Sequence, residues 1–135
     1  MKVRTLVFGA FLLALPALGE KIHTIRVAPL VSDQPMAQPY ANLITAKLVS
    51  HLAANGVSVI EDESDTKIDA ILKVNYMVTE VGTQYRIEGP VRLIDGDGKV
   101  IWADDVRNSH FARSASSSFA ENVALKVEAF LSTQK

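Results

Sequence analysis

Apolar and polar residues alternate along much of the chain, and this alternation predicts five β-strands. The longest alternation covers residues 68–79, with a period of two that is typical of a strand with one buried face. The fourth strand contains Gly89 and Pro90, where we expect a bulge or an edge position because proline cannot donate to a neighbouring strand. The strands are predicted at residues 22–31, 57–61, 68–79, 85–93 and 100–106. The inward side chains of the third and fourth strands are predicted to be Ala70, Leu72, Val74, Tyr76, Val78, Tyr85, Ile87, Val91 and Leu93.

Apolar residues at helical spacing predict two helices. The first begins near Pro39, whose fixed φ suits a first turn, and ends at Gly56, which can adopt the left-handed conformation of a helix cap. The second follows a serine run, and one of residues 116–118 is expected to cap it. The predicted apolar stripes are Tyr40, Leu43, Ile44, Leu48 and Leu52 in the first helix, and Phe119, Val123, Val127, Phe130 and Leu131 in the second.

These elements follow one another in the order β-α-β-β-β-β-α. Each helix has one apolar stripe and each long strand has one apolar face, so both helices can pack on the same side of the sheet. The sequence therefore predicts an α+β fold, with an antiparallel-rich sheet of about five strands and two helices on one face.

The segment LIDGDGKVIW, residues 93–102, has two aspartates alternating with two glycines, which is suggestive of a calcium loop. An EF-hand loop needs oxygen ligands at positions 1, 3 and 5, a glycine at position 6 and a glutamate at position 12. With Gly98 at position 6, position 1 falls on Leu93. With Asp95 at position 1, position 12 falls on Val106. Both registers fail, and Asp-Gly between alternating strands predicts a hairpin turn instead.

The first residues have the pattern of an export signal. Lys2 and Arg4 precede an apolar run at residues 6–15, which small residues follow. A helix needs ~20 apolar residues to cross a bilayer, about twice the length of this run. We therefore expect residues 1–19 to be a signal peptide and residues 20–135 to be a single soluble domain, periplasmic or secreted, without a stable membrane anchor.

Charge and cysteine content narrow the classes of function. The chain has 14 basic and 15 acidic side chains. Without Lys2 and Arg4, 12 basic side chains remain against 15 acidic ones, a formal balance of −3. A net acidic chain disfavours binding to nucleic acid and to anionic lipid. The chain contains no cysteine, so no disulfide cross-links the domain and no lipid-attachment cysteine is present.

Candidate catalytic and metal-binding residues are sparse. His23, His51 and His110 show none of the spacings typical of zinc sites, and the acidic run at residues 61–65 is more typical of a solvated loop than of a calcium site. A hydrolase could combine His110 with the serines at residues 114–118, but the sequence lacks the nucleophile elbow G-x-S-x-G. We therefore expect no cofactor, no metal and no enzymatic activity.

The outward face of the long strands is the more informative surface. It carries several charged residues, with Ile71, Met77 and Ile94 between them, a composition that suits both a protein-binding patch and a solvated face. The proline-rich loop SDQPMAQP, residues 32–39, is a second candidate surface. The predicted partner-binding side chains are Lys73, Asn75, Arg86, Glu88, Arg92 and Arg107.

Five segments together resemble a group of bacterial envelope domains. The segments are IRVAPL, LVSHLAANGVSVIE, IDAILKVNY, VRLIDGDGKVIWAD and FAENVALKVEAFL. This series is similar to the α+β domain of the curli-secretion lipoprotein, of the outer-membrane activators of penicillin-binding proteins, and of the amino-terminal domain of the Tol-system β-propeller protein. The resemblance implies a non-catalytic module that docks onto envelope proteins or assembles with itself.

Two functions are therefore expected for the domain. The first is that of a protein-interaction module of the bacterial cell envelope, which binds an envelope protein or another copy through its open sheet face or an exposed strand edge. The alternative is a carrier of a small ligand, such as a lipid or a peptidoglycan fragment, in a cleft between the first helix and the sheet.

Overall fold

Six strands form one mixed sheet, and two helices pack on one side of it. The computed structural model describes residues 22–61, 67–108 and 115–134. The strands are β1 (Thr24–Val27), β2 (Ser58–Ile60), β3 (Ala70–Val74), β4 (Met77–Val81), β5 (Gln84–Asp95) and β6 (Val100–Arg107). The helices are α1 (Gln38–Ala54), which a short 3-10 turn at Pro35–Ala37 precedes, and α2 (Ala115–Ser132). The predicted α+β fold and its order of elements are confirmed, except that the predicted third strand is divided into β3 and β4.

The centre of the sheet is β5, the longest strand. β3 and β4 lie end to end along one edge of β5, and β6 pairs with the other edge. These three pairings are antiparallel. β1 lies parallel to β3 on one side and to β2 on the other. The sheet is therefore antiparallel around β5 and parallel around β1.

A single break separates β3 from β4, opposite Gly89 and Pro90 of β5. Asn75 donates its backbone N–H to the carbonyl of Pro90 at 3.1 Å. The reciprocal hydrogen bond cannot form, because proline has no N–H. The carbonyl of Asn75 lies instead against Gly89, where a Cβ atom would overlap its oxygen and lie 2.9 Å from the Cα atom of Tyr76. The Gly-Pro pair thus breaks the neighbouring strand while β5 continues.

The predicted bulge or edge position at Gly89–Pro90 is therefore wrong. Val74 pairs with Val91 on one side of the break and Met77 pairs with Glu88 on the other, so the same number of residues lies between these pairs on both strands. β5 also has a partner on each edge at this point. The register irregularity lies at the other end of β5, beside Leu93 in the pairing with β6.

The core lies between the inward face of the sheet and the two helices. The fully buried side chains come from every layer, which is the arrangement that the apolar stripes predicted. The largest of them are Phe119, Ile25, Ile44, Leu48, Leu52, Leu72, Ile87 and Leu93. Ala120 and Ala124 are also buried, and small residues at these positions let α2 approach its neighbours closely.

The LIDGDGKVIW segment forms the predicted hairpin turn between β5 and β6. The N–H of Gly98 donates to the carbonyl of Asp95 at 3.0 Å, and Gly98 has a φ of 85°, which glycine adopts without steric cost. The carboxylate of Asp95 accepts the backbone N–H groups of Asp97 and Lys99, each at 2.9 Å. Its role is therefore to hold the turn.

Several individual predictions need correction. Leu43 is 60% exposed, because it lies beside the buried stripe of α1 rather than in it. Tyr85 was predicted to point into the core but is 40% exposed, and it contacts Tyr40 at the margin of the helical layer, with ring centroids 6.4 Å apart. Residues 116–118, one of which was predicted to cap α2, lie inside its first turn. The predicted left-handed conformation of Gly56 is confirmed by its φ of 90°.

The close approach at Gly89 generates a stability prediction. We expect Gly89→Ala to lower the free energy of unfolding by about 1–3 kcal/mol, the usual cost of overpacking. The reason is that a rigid backbone carbonyl occupies the space of the new methyl group. Urea unfolding followed by circular dichroism measures the change. Gly96→Ala is the matched control, since no heavy atom lies within 4 Å of a Cβ atom there. Equal stability of the two variants would contradict the account.

Candidate docking face

We call the side of the sheet that faces away from the helices the open face. All six of the predicted partner-binding side chains belong to strands of this face or to the break between β3 and β4. Lys73, Asn75, Arg92 and Arg107 are exposed, whereas Arg86 and Glu88 are half-buried. Arg86 is engaged in an interaction within the chain, so it is a poorer candidate than the exposed cations.

Two cations lie directly opposite each other on this face. Lys73 of β3 pairs in register with Arg92 of β5, so their Cβ atoms are about 5 Å apart. Within the described ranges, neither side chain forms an ion pair or a hydrogen bond. Ile71 and Ile94 form the next pair on the same face and are half-buried. Like charges directly opposite each other destabilise a sheet. This pair therefore lowers the stability of the fold, and no contact within the described ranges compensates for it.

A cleft of about 750 Å³ opens on the same face, at the break between β3 and β4. Its volume is in the range of ligand pockets in proteins. Gly89 and Pro90 form part of its lining, so the feature that breaks the strand also shapes the cleft. The side chains around it include three carboxylates and one guanidinium. The lining residues that carry side-chain functions are Ser32, Asp33, Gln34, Asn75, Tyr76, Met77, Glu88, Asp105 and Arg107.

The proline-rich loop forms one wall of this cleft because three contacts anchor it to the sheet. The backbone of Val31 donates to the carbonyl of Val74 at 3.1 Å and accepts from the N–H of Tyr76 at 3.0 Å. The side-chain amide of Gln34 bonds to Val78 as the backbone of a neighbouring strand would. It accepts from the N–H of Val78 at 2.7 Å and donates to the carbonyl of Val78 at 2.9 Å.

Tyr76 supplies the third anchor. Its hydroxyl donates to the carbonyl of Ala37 at 2.7 Å, and burial raises the pKa of Tyr76 above its usual value, which keeps the donor proton in place. The loop therefore carries Met36, which is 88% exposed, on an ordered support.

The structure joins two surfaces that the sequence predicted separately. Asn75, Glu88 and Arg107 from the predicted face meet residues 32–34 of the proline-rich loop around one cleft. The sequence placed Asp33 only within the proline-rich loop, residues 32–39, and did not single out Asp105. The only signal for Asp105 was its outward position in the alternation of β6, and no periodicity places a loop residue such as Asp33.

The other candidate residues have structural roles or lie outside the described ranges. Nδ1 of His51 on α1 lies 2.9 Å from a carboxylate oxygen of Glu128 on α2, so this histidine joins the two helices. The described residues contain no cluster of histidine and acidic side chains suited to a metal ion. His110 and Ser114, and most of the acidic run at residues 61–65, are outside the described ranges.

The free edge of β6 is partly occupied by side chains. The N–H of Asp105 donates to the carboxylate of Asp104 at 2.8 Å, and the carbonyl of Arg107 accepts from the side-chain amide of Asn122 at 2.7 Å. Local hydrogen bonds of this kind disfavour pairing with a strand from another chain. The geometry therefore favours the open face over the edge of β6 as a docking surface.

Two solved structures match the described fold over most of its length. Both are crystal structures of the PelC dodecamer from Paraburkholderia phytofirmans, one of them of a point-substituted form. The first has a TM-score of 0.60 and 20% identity, and covers 84% of this chain and 91% of that chain. The second has a TM-score of 0.58 and 20% identity, and covers 79% and 89%. This chain has a PelC-like fold.

At 20% identity the likeness shows only that this chain has the same α+β fold as PelC, a bacterial protein. No family model matches the chain, and no curated protein matches it. Within residues 22–61, 67–108 and 115–134, neither helix has the length and apolarity that crossing a bilayer requires.

The anchoring of the loop generates one prediction. We expect Gln34→Ala to lower the free energy of unfolding by about 1–2 kcal/mol, because it leaves the N–H and carbonyl of Val78 without their partner. Hydrogen exchange measured by mass spectrometry should show faster exchange at Val78. Gln38→Ala, at an exposed glutamine nearby, is the control and should change neither quantity. If Val78 exchanged at the same rate in both variants, Gln34 would not be its partner.

The cation pair generates a second prediction. We expect Lys73→Glu to raise the free energy of unfolding by about 0.2–1 kcal/mol, because an opposite-charge pair with Arg92 replaces a repulsive one. Urea unfolding at low ionic strength measures the change, and added salt should reduce it. Lys47→Glu, an equal change of charge at an exposed position of α1, is the control. A loss of stability specific to Lys73→Glu would mean that Lys73 makes a stabilising contact.

Proposed function

We propose that this chain is a non-catalytic docking module of the bacterial cell envelope, exported to the periplasm, which binds its partner through the open face. The observation that carries the proposal is the Lys73–Arg92 pair beside the cleft. An arrangement that costs stability and has no compensating contact in the described fold is typical of a binding surface. The resemblance of the sequence to envelope docking domains agrees with this function.

The partner is either another envelope protein or another copy of the chain. PelC, which has the same fold, is found as a dodecamer, and this supports the possibility of self-association. Within residues 22–61, 67–108 and 115–134, both helices pack on the other side of the sheet, so a partner molecule has access to the open face. Export rests on the signal-like pattern of residues 1–19, which precede the described ranges.

Photo-crosslinking in cells tests the proposal. A photoreactive residue replaces Ala103, which is exposed beside Arg92 on the open face, or, as a control, Lys47 on α1, and mass spectrometry identifies the adducts. We expect Ala103 to give one dominant adduct, either an envelope protein or a second copy, and Lys47 to give none. The adduct should diminish when Lys73→Glu is added. Equal adducts from both positions, or none from Ala103, would refute docking through this face.

A ligand carrier is the second candidate, because the structure contains a groove where that function requires one. A groove of about 560 Å³ lies between residues 27–30 and the first turns of α1, with Asn42 and Thr45 in its lining. A ligand present at 100 times its Kd should raise the free energy of unfolding by ~2.7 kcal/mol. A thermal-shift screen with envelope lipids and peptidoglycan fragments would detect it, and Thr45→Trp, which fills the groove, should abolish the shift.

A further inference from the structure

Two zones of opposite charge lie near each other along β5 on the open face. Lys73 and Arg92 form the first zone. The second lies at the cleft, where the carboxylates of Asp33, Glu88 and Asp105 outnumber the guanidinium of Arg107. A partner must therefore present a negative group to the first zone and a positive group to the second.

This arrangement disfavours a uniformly anionic partner. An acidic polysaccharide or an anionic membrane would be attracted to Lys73 and Arg92, but the carboxylates at the cleft would repel its next charges. A polypeptide can alternate its charges within one short segment, and its backbone can donate to and accept from the polar groups of Ser32 and Asn75 in the cleft lining.

The spacing of the two zones specifies the segment. Arg92 and Glu88 lie on the same face of β5, four residues apart, which corresponds to about 13 Å in an extended chain. An extended partner segment lying along β5 has the same rise per residue, so its complementary charges would also be four residues apart. Met77 pairs in register with Glu88 and is 50% exposed, so it offers an apolar contact to the aliphatic stem of the basic side chain.

We propose that the open face binds an extended peptide segment of a partner protein that carries an acidic residue and, four positions away, a basic residue. The acidic side chain lies between Lys73 and Arg92, and the basic side chain enters the cleft beside Glu88 and Asp105. The inference rests on the proposed docking function and adds to it the chemistry of the partner.

Peptide selection tests this chemistry. A library of random linear peptides of 12 residues, displayed on phage, is selected against the full chain and against the Arg92→Glu and Lys47→Glu variants. We expect the full chain and Lys47→Glu to enrich peptides with an acidic and a basic residue four positions apart. Arg92→Glu should lose this enrichment, and a selected peptide should bind it about tenfold more weakly, the effect of losing one or two exposed ion pairs.

A second variant tests the positive end of the segment. Glu88→Gln should weaken the binding of a selected peptide, and the weakening should disappear when the basic residue of the peptide is replaced by glutamine. Urea unfolding confirms that each variant is folded. Soluble polyglutamate and vesicles containing anionic lipid are added as competitors, and neither should displace the peptide at concentrations equal in charge.

Three outcomes would overturn the inference. One is enrichment of peptides without the paired charges, another is equal binding to Arg92→Glu, and the third is displacement by polyglutamate or vesicles, which would indicate a polyanion or a membrane as the partner. If peptides bind but do not depend on Arg92 or Glu88, this inference fails while docking stands. If no peptide is enriched and the probe at Ala103 gives no adduct in cells, docking through the open face fails as well.

Discussion

The contact between the carbonyl of Asn75 and Gly89 fixes the break in the sheet, on which the cleft and the proline-rich loop depend. Pro90 withholds the hydrogen bond that would keep β3 and β4 continuous, and Gly89 provides the space into which the unpaired carbonyl turns. The register on the two sides of the break is the same, so the inward side chains still reach the core. The break therefore opens a cleft on one side of the sheet without disturbing the packing on the other.

The proline-rich loop is ordered because the break leaves backbone groups that it can satisfy. Val31 bridges the carbonyl of Val74 and the N–H of Tyr76, and the amide of Gln34 completes the edge at Val78. A side chain that replaces a strand in this way satisfies both polar groups of a residue and ends the sheet there. The same contacts that close the edge of the sheet also form the wall of the cleft, which links stability to the candidate function.

The sequence predicted the inward and outward side chains of the strands, which follow from periodicity. It did not predict the break or the loop residues at the cleft, which depend on single contacts. Alternation along residues 68–79 identified the inward side chains on both sides of the break, because the break does not change the register. It could not show the break itself, which results from the local chemistry of Pro90. Leu43 was misplaced because α1 also has apolar residues beside its buried stripe. The six predicted face residues were found by alternation alone, whereas Asp33 and Gln34 reach the cleft through tertiary contacts that have no period.

Oxidative footprinting in the cell envelope tests most directly whether the open face is a docking surface. Met77 on this face and Leu125 on the outer side of α2 are 50% and 49% exposed, so they are matched in access to solvent. Hydroxyl radicals modify both side chains, and mass spectrometry compares their oxidation in cells with that in the purified monomer. The account predicts that oxidation of Met77 falls in cells while that of Leu125 does not. Equal protection of the two, or none at Met77, would contradict it.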